Sequence, residues 1–342
     1  MKICYLTDNI NPRHGGGRHA GDLISAVKKS GHEVIILTSL KSGLGLFFSA
    51  LKVRKYLKHC DIIHALDGYP HGIIAALANF GLKKRLIITV LGTHAVVPLY
   101  SFPANVLLKW AYKKADKVIS ISHFIKNELL KAGVSGKIEV INPGINFNKF
   151  YKEHLDSDES FIISVGALKN RKGYHISIPA FALAKKSFPD LKYKIVGSQE
   201  DGAYFNRLKE LTVKYNVQND VEFLSGLSDE ELSDLYRKAK LFILTSVNEK
   251  YHFEGFGLVF LEAAAAGLSV IGTLNNGIED AVKNNYNGIL VEQNDIKNTA
   301  QTIVSILKDK DFRKKLSSNS FNWAKSHDWS EVVLKYLKVY KQ

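Results

Sequence analysis

The sequence predicts an α/β protein of two doubly wound domains, each a mostly parallel sheet covered by helices on both faces. Two observations predict it. Short runs rich in Val, Ile and Leu alternate with helical stretches of roughly ten residues along nearly the whole chain, the pattern of right-handed βα crossovers. The chain, at 342 residues, also exceeds what one hydrophobic core usually holds, and its alternation breaks once, in a polar and charged stretch near 150–159, before restarting.

In the first half, KICYLTD at 2–8 reads as a strand and NINPRHGGGRHAG as a glycine-rich loop, with a helix from about 19 to 29. GHEVIILTS at 31–39 has the continuous β-branched and aliphatic run of a strand buried on both faces. The unit then recurs: strand DIIHALD, turn and helix GYPHGIIAALANFG, strand RLIITVLG, helix VLLKWAYKKAD, strand KVISIS, helix HFIKNELLKAG, strand KIEVINPG. The second half opens with strand FIISVGALKN, followed by helix GYHISIPAFALAKKS, strand KYKIVGS, helix AYFNRLKELTVKYN and strand VEFLSG. Ser228, with Glu231 three residues on, is a capping box that starts the helix SDEELSDLYRKA. Strand KLFILTS, a helix after Gly257, strands LSVIGT and GILVE, and two helical segments at 309–328 and 329–342 complete the chain. In domains of this kind ligands are expected at the carboxyl ends of the strands and in the cleft between the domains.

Composition narrows the class. Cys4 and Cys60 are the only cysteines, too few for a disulfide framework, so a reducing compartment is expected. The N-terminal MKICYLTD is too short and polar for a signal peptide, and no run reaches the about 18 apolar residues of a membrane span. Charge is lopsided: residues 1–150 hold 21 basic and 8 acidic side chains, a net +13, out of +14 for the whole chain. A basic half beside a neutral half points to an anionic partner approached from one side, although no aromatic and basic repeat resembles an RNA platform. No nucleic acid is expected.

Three segments could hold an anionic ligand. Gly15, Gly16 and Gly17 lie between the first strand and first helix, where backbone N–H groups and a helix N-terminus favour a phosphate; a ligand-free tight turn is the alternative. The loop is neither G-x-G-x-x-G nor a G-x-x-x-x-G-K-[ST] loop, which argues against a nicotinamide dinucleotide. The second half opens in the same way, and there Arg171 and Lys172 stand at a strand–helix mouth, suited to a diphosphate as fork and point charge. The third segment is EGFGLVFLEAAAAGLSVIG. Gly255 and Gly257 free the backbone ahead of a helix starting near Leu258, with Glu254 before it and Glu262 one turn inside. An acid beside so apolar a run is costly unless it binds something, and a vicinal diol is a suitable partner.

Other chemistries lack their signatures. His59, Cys60, Asp61 and His64 have no zinc spacing. The D-x-D pairs at Asp156 and Asp158 and at Asp309 and Asp311 follow no strand end, so no metal is expected. There is no G-x-S-x-G, and Ser122 and Ser246 have no evident triad.

Glu254 and Glu262, as an E-x7-E pair inside the third segment, make the chain resemble the group 1 (GT4-type) retaining glycosyltransferases. HGGG, ISHFIKNEL, VINPGINFNKF, VGALKNRKG and NNGIEDAVKNNYNGILVEQND support this in the family's order and spacing, over essentially the whole length. The resemblance implies the GT-B architecture: two Rossmann-like doubly wound domains facing across a cleft. Its expected limits here are 1–152 for the acceptor-side domain, 158–325 for the donor domain and 326–342 for a C-terminal helix packing back toward the first. It further implies a nucleotide-diphosphate sugar as donor substrate, no cofactor and no metal. Arg171 and Lys172 would hold the diphosphate, Glu254 the transferred sugar and Glu262 the ribose. The amides of Gly255, Phe256, Gly257 and Leu258 would approach phosphate and sugar, and Gly15, Gly16 and Gly17 would face donor and acceptor.

The chain departs from the family pattern in places. Ala167 stands where Arg is usual, Leu91 takes the place of a histidine with His94 three residues later, Asp280 replaces a Glu and Ser269 a Pro. His94 is nevertheless a candidate catalytic residue. The expected acceptor is a cell-surface glycan or lipid-linked saccharide, with a soluble small molecule or sugar phosphate as the alternative and an inactive nucleotide-sugar-binding protein as the third. The segments at 46–60 and 99–117 mix aromatic and aliphatic residues with lysines, as an interfacial segment would. The expected location is therefore cytoplasmic and peripheral, at an anionic inner membrane face.

Overall fold

The computed structural model describes residues 1–12, 15–151 and 159–342. The chain forms two compact units, Met1–Gly144 with Trp329–Gln342, and Ile145–Asp328. The expected boundary at 152–158, with Asp156 and Asp158, lies outside the described residues.

The first unit alternates strand and helix from its start: β1 (Lys2–Leu6), α1 (Gly15–Lys29), β2 (Glu33–Leu37), α2 (Gly45–Leu57), β3 (Ile62–Leu66), α3 (Ile73–Ala78) and β4 (Arg85–Val90). It continues with α4 (Thr93–Val96), α5 (Ala104–Lys114), β5 (Lys117–Ser120), α6 (His123–Lys131) and β6 (Ile138–Val140). All six strands run parallel in the order β2-β1-β3-β4-β5-β6. β3 is wholly buried, as its unbroken IIHAL run requires of a strand covered on both faces. The helix α1 starts at Gly15 rather than near 19. First-turn residues need no bond back along the helix, so glycines cost little there. At Gly17 a Cβ would stand 2.2 Å from Asn9 Oδ1, so only glycine lets the strand-end turn lie this close.

The second unit runs α7 (Phe147–Phe150), β7 (Phe161–Val165), α8 (Tyr174–Lys185), β8 (Lys192–Val196), α9 (Gly202–Lys214), β9 (Val221–Leu224) and α10 (Asp229–Lys238). Then come β10 (Leu241–Ile243), α11 (Leu258–Ala265), β11 (Val270–Thr273), α12 (Ile278–Ala281), β12 (Gly288–Val291), α13 (Ile296–Lys308) and α14 (Lys310–Ser326). Its sheet is again parallel, ordered β12-β11-β10-β7-β8-β9. α13, which has no counterpart among the expected elements, packs on α8. The predicted capping box is present: Ser228 Oγ accepts the Glu231 N–H at 3.2 Å, and Glu231 Oε2 accepts the Ser228 N–H at 2.7 Å.

The last helix, α15 (Trp329–Lys341), returns to the first unit and packs on α1. Its Val332, Val333, Tyr336, Val339 and Tyr340 join Ile3, Tyr5, Leu23 and Val27 in one core. Within it the Tyr340 hydroxyl lies 2.8 Å from both the Tyr5 hydroxyl and His64 Nδ1.

Candidate functional site

Each sheet has one place where the chain reverses its direction of growth, and the loops leaving the two strands there diverge to leave a crevice. In the second unit that place lies between β7 and β10. The loop after β7 delivers Arg171 and Lys172, and the loop after β10 delivers Glu254. The two loops are tied together by the Val247 N–H bonding to the Arg171 carbonyl at 2.8 Å and by Thr245 Oγ1 donating to the Gly173 carbonyl at 2.7 Å.

The three charged groups converge on one atom. Lys172 Nζ donates to Glu254 Oε2 at 2.5 Å, Arg171 Nη1 at 3.1 Å, and Ser246 Oγ at 3.5 Å. Lys172 and Glu254 are each only 9% exposed, so this ion pair is desolvated. Burial alone would raise the Glu254 carboxyl, but the Lys172 and Arg171 charges outweigh it and hold it down at about 2. Glu254 is therefore a fixed anion with little basicity. Lys172 and Arg171 set two cations against Glu254, and the buried Glu262 acts on Lys172 as well.

The backbone completes the arrangement. The Glu254 carbonyl accepts the Gly277 N–H at 2.9 Å, which fixes the loop on the turn before α12. Gly257 caps α11 at φ 85°, a left-handed conformation that suits glycine, and a Cβ there would meet Phe260 at 2.7 Å. Glu262, inside α11, is 4% exposed and accepts a bond from the Tyr236 hydroxyl at 3.3 Å. That tyrosine and Ser246 are the partners the sequence does not reveal. Tyr236 comes from α10, across a helix contact, although Ser246 could have been found as the hydroxyl closing the strand run KLFILTS.

The remaining candidates lie in the first unit. Gly15, Gly16 and Gly17 form the first turn of α1, and a Cβ on Gly15 or Gly16 would meet nothing within 4 Å. His94 is exposed on α4, after β4. Ser122 is fully buried and caps α6 by accepting the Ile125 N–H at 3.2 Å. Among the described residues no group of three or more His, Cys, Asp or Glu is placed to hold a metal ion, and no helix is long and apolar enough to cross a membrane.

Two Rossmann-like parallel-sheet units, one carrying a basic pair on a buried glutamate at its switch point, define a glycosyltransferase of the GT-B kind that draws on a nucleotide-diphosphate sugar. Residues 146–323 match the family described as glycosyl transferases group 1, and residues 38–149 match glycosyltransferase family 4. The chain thus belongs to the group 1 glycosyltransferases. An uncharacterised glycosyltransferase of Methanocaldococcus jannaschii is 29% identical over 303 residues, covering 88% of this chain and 81% of its own. The N-acetyl-alpha-D-glucosaminyl L-malate synthase of Bacillus anthracis is 27% identical over 297 residues, covering 83% and 75%. Among solved structures, Anabaena HepE in complex with UDP and glucose superposes with a TM-score of 0.80 at 20% identity, covering 100% of both chains. A glycosyltransferase of Rickettsia africae gives 0.83 at 23% identity, covering 99% of this chain and 97% of that one.

Proposed function

We propose that this enzyme moves a hexose, with retention of anomeric configuration and without a metal, from its nucleotide-diphosphate donor to a hydroxyl of a cell-surface glycan or lipid-linked saccharide. The observation that carries the reading is the Lys172–Glu254–Arg171 cluster. Lys172 and Arg171 would absorb the charge that develops on the leaving diphosphate, in a site where little reorganisation is needed. Glu254, held down at about 2, is too weak a base to take the acceptor proton and too firmly paired to act as nucleophile. It serves instead as a hydrogen-bond acceptor for sugar hydroxyls. The acceptor proton then passes to the departing phosphate on the same face, which retains configuration. Glu262 would bind the ribose, the amides of Gly255, Phe256, Gly257 and Leu258 the phosphate and sugar, and Gly15, Gly16, Gly17 and His94 the far side of the donor and the acceptor.

A lipid-linked acceptor is supported by α2 and α5, whose exposed apolar side chains lie among lysines. Transfer to a soluble acceptor is the second reading. It is supported by the likeness to the B. anthracis N-acetyl-alpha-D-glucosaminyl L-malate synthase, whose name contains L-malate, a small hydroxy acid.

The test is a screen of nucleotide sugars for protection against thermal unfolding, then turnover in EDTA with the best donor and NMR of the product. The expected result is protection by one donor class, undiminished turnover in EDTA and an unchanged anomer. An inverted anomer would end the retaining reading, and protection by no nucleotide sugar would end the donor assignment.

A further inference from the structure

The sheet of the first unit has a switch point of its own, between β1 and β3, and none of the residues assigned so far comes from the end of β3. Asp8 is the second residue beyond β1, and Asp67 the first beyond β3. The two strands are paired neighbours in parallel register, Tyr5 opposite His64, so both acids leave the same edge of the sheet. Among the described residues neither acid makes an ion pair, in a half-chain whose basic residues number 21. Acids with a purely structural task in so basic a unit would be expected to gather a cation.

Three features show that this edge is built at a cost. Asp67 has φ 114°, a conformation rare for a side-chain-bearing residue and one that clusters at ligand sites. Its carboxylate is held by the Gly68 N–H at 2.9 Å, and the residue is half-buried. His71, four residues on and 4% exposed, has its Nδ1 buried with no hydrogen-bond partner. A buried ring nitrogen without a partner is uncommon in a folded protein and asks for an explanation. Asp67 and His71 both follow the end of β3, beside the end of β1 that leads to Asp8.

We propose that Asp67 and Asp8, backed by His71, form the hydroxyl-recognition subsite for the acceptor, taking vicinal hydroxyls of a sugar ring. The proposal rests on the transferase reading and adds to it the residues that hold the acceptor. Asp8 is exposed and Asp67 half-buried, neither with a cation, and carboxyl oxygens so placed accept from hydroxyl donors; the described residues offer no metal geometry that would claim them. Burial, with Asp8 adding to it and the Gly68 N–H bond opposing, pushes the Asp67 carboxyl up to about 7. Ionised or not, it still accepts.

The test uses the full chain and direct binding. Protein is loaded with whichever of UDP, GDP, ADP or TDP protects it best, then titrated with methyl glucosides, galactosides and mannosides and with octyl glucoside, read by saturation-transfer NMR. Asp67→Asn keeps the side-chain shape and the Oδ1 that accepts the Gly68 N–H, so it removes the ionisable group with little other change. The expected result is glycoside binding to the wild type, about tenfold weaker in Asp67→Asn and about threefold weaker in Asp8→Asn. Nucleotide affinity and melting temperature should be unchanged in both. Equal glycoside affinity in the variants, or binding of no glycoside to the loaded wild type, overturns the subsite. If no nucleoside diphosphate binds, the transferase reading fails, and the subsite with it.

Discussion

Glu254 accepts from two buried or half-buried cations through a single oxygen, and substitution can separate the parts of that arrangement. Glu254→Gln keeps the shape and removes the charge. Lys172 then loses the group that opposes the effect of its burial, so its ammonium becomes less stable still. Transfer should fall by about 100-fold or more, the scale on which removal of one preorganised charge is felt. The same side chain sets a pH dependence. Its carboxyl drops from the ordinary 4.5 to about 2 on folding, which corresponds to about 3 kcal/mol. That stability is fully present above 4.5 and is lost as the pH falls toward 2, because the unfolded chain takes up the proton first. Acid unfolding curves of wild type and Glu254→Gln should therefore keep a constant offset above pH 4.5 and close on one another as the pH falls from 4.5 toward 2. Parallel curves throughout would mean that the ion pair contributes nothing to folding.

At the scale of the elements, α10 tests whether local sequence signals carry weight in the fold. Ser228→Ala removes one half of the capping box and should cost about 1 kcal/mol, or roughly 2–4 °C in melting temperature. Turnover well below the melting point should be unaltered, since the Tyr236 to Glu262 contact lies two turns beyond the cap. The cap was legible in the sequence because it depends on four consecutive residues. The strands and the Glu254–Glu262 segment were legible for a similar reason, since a period and a strand–turn–helix order are local. What was not legible depends on sheet order. Asp8 and Asp67 are far apart in the chain, and only the placement of β1 beside β3 makes them neighbours. The α13 helix is a different case. Its signal was present, with Asp295 capping by accepting the Asn298 N–H and Thr299, Ala300, Ile303, Ile306 and Leu307 forming one buried stripe. Polar residues between the apolar ones diluted the stripe. At Gly15 the reading started the helix too late, at about 19, because a glycine run suggests a loop.

At the scale of the whole molecule, the excess charge of the first 150 residues gains a location when set beside the surface of the first unit. α2 carries two apolar stripes. One, Leu46, Ser49, Ala50, Val53 and Leu57, is buried. The other, Leu44, Phe47, Phe48 and Leu51, follows the same helical spacing but faces solvent, with exposures of 98%, 62%, 72% and 49%. A helix needs only one such stripe to fold against its sheet, so the second has no role in the isolated chain. α3 packs against both α2 and α5, and just ahead of and within α5 Phe102 and Val106 are exposed as well. Lys52 and Lys55 on α2 with Lys58 just beyond it, and Lys109, Lys113 and Lys114 on α5, supply the positive charge an anionic lipid surface would meet. Wild-type protein should therefore sediment with vesicles containing phosphatidylglycerol at low salt and much less with pure phosphatidylcholine. Raising the salt should weaken the binding, because the basic residues contribute through screened attraction. Phe47→Ser with Phe48→Ser should weaken it about tenfold or more even at low salt, since those rings supply apolar area rather than charge. Both rings point away from the core, so the variant should melt with the wild type and keep its protection by a nucleotide sugar. Binding that depends on salt but ignores the two phenylalanines would reduce the surface to a diffuse basic face, and the absence of vesicle binding at low salt would remove the membrane from the acceptor assignment altogether.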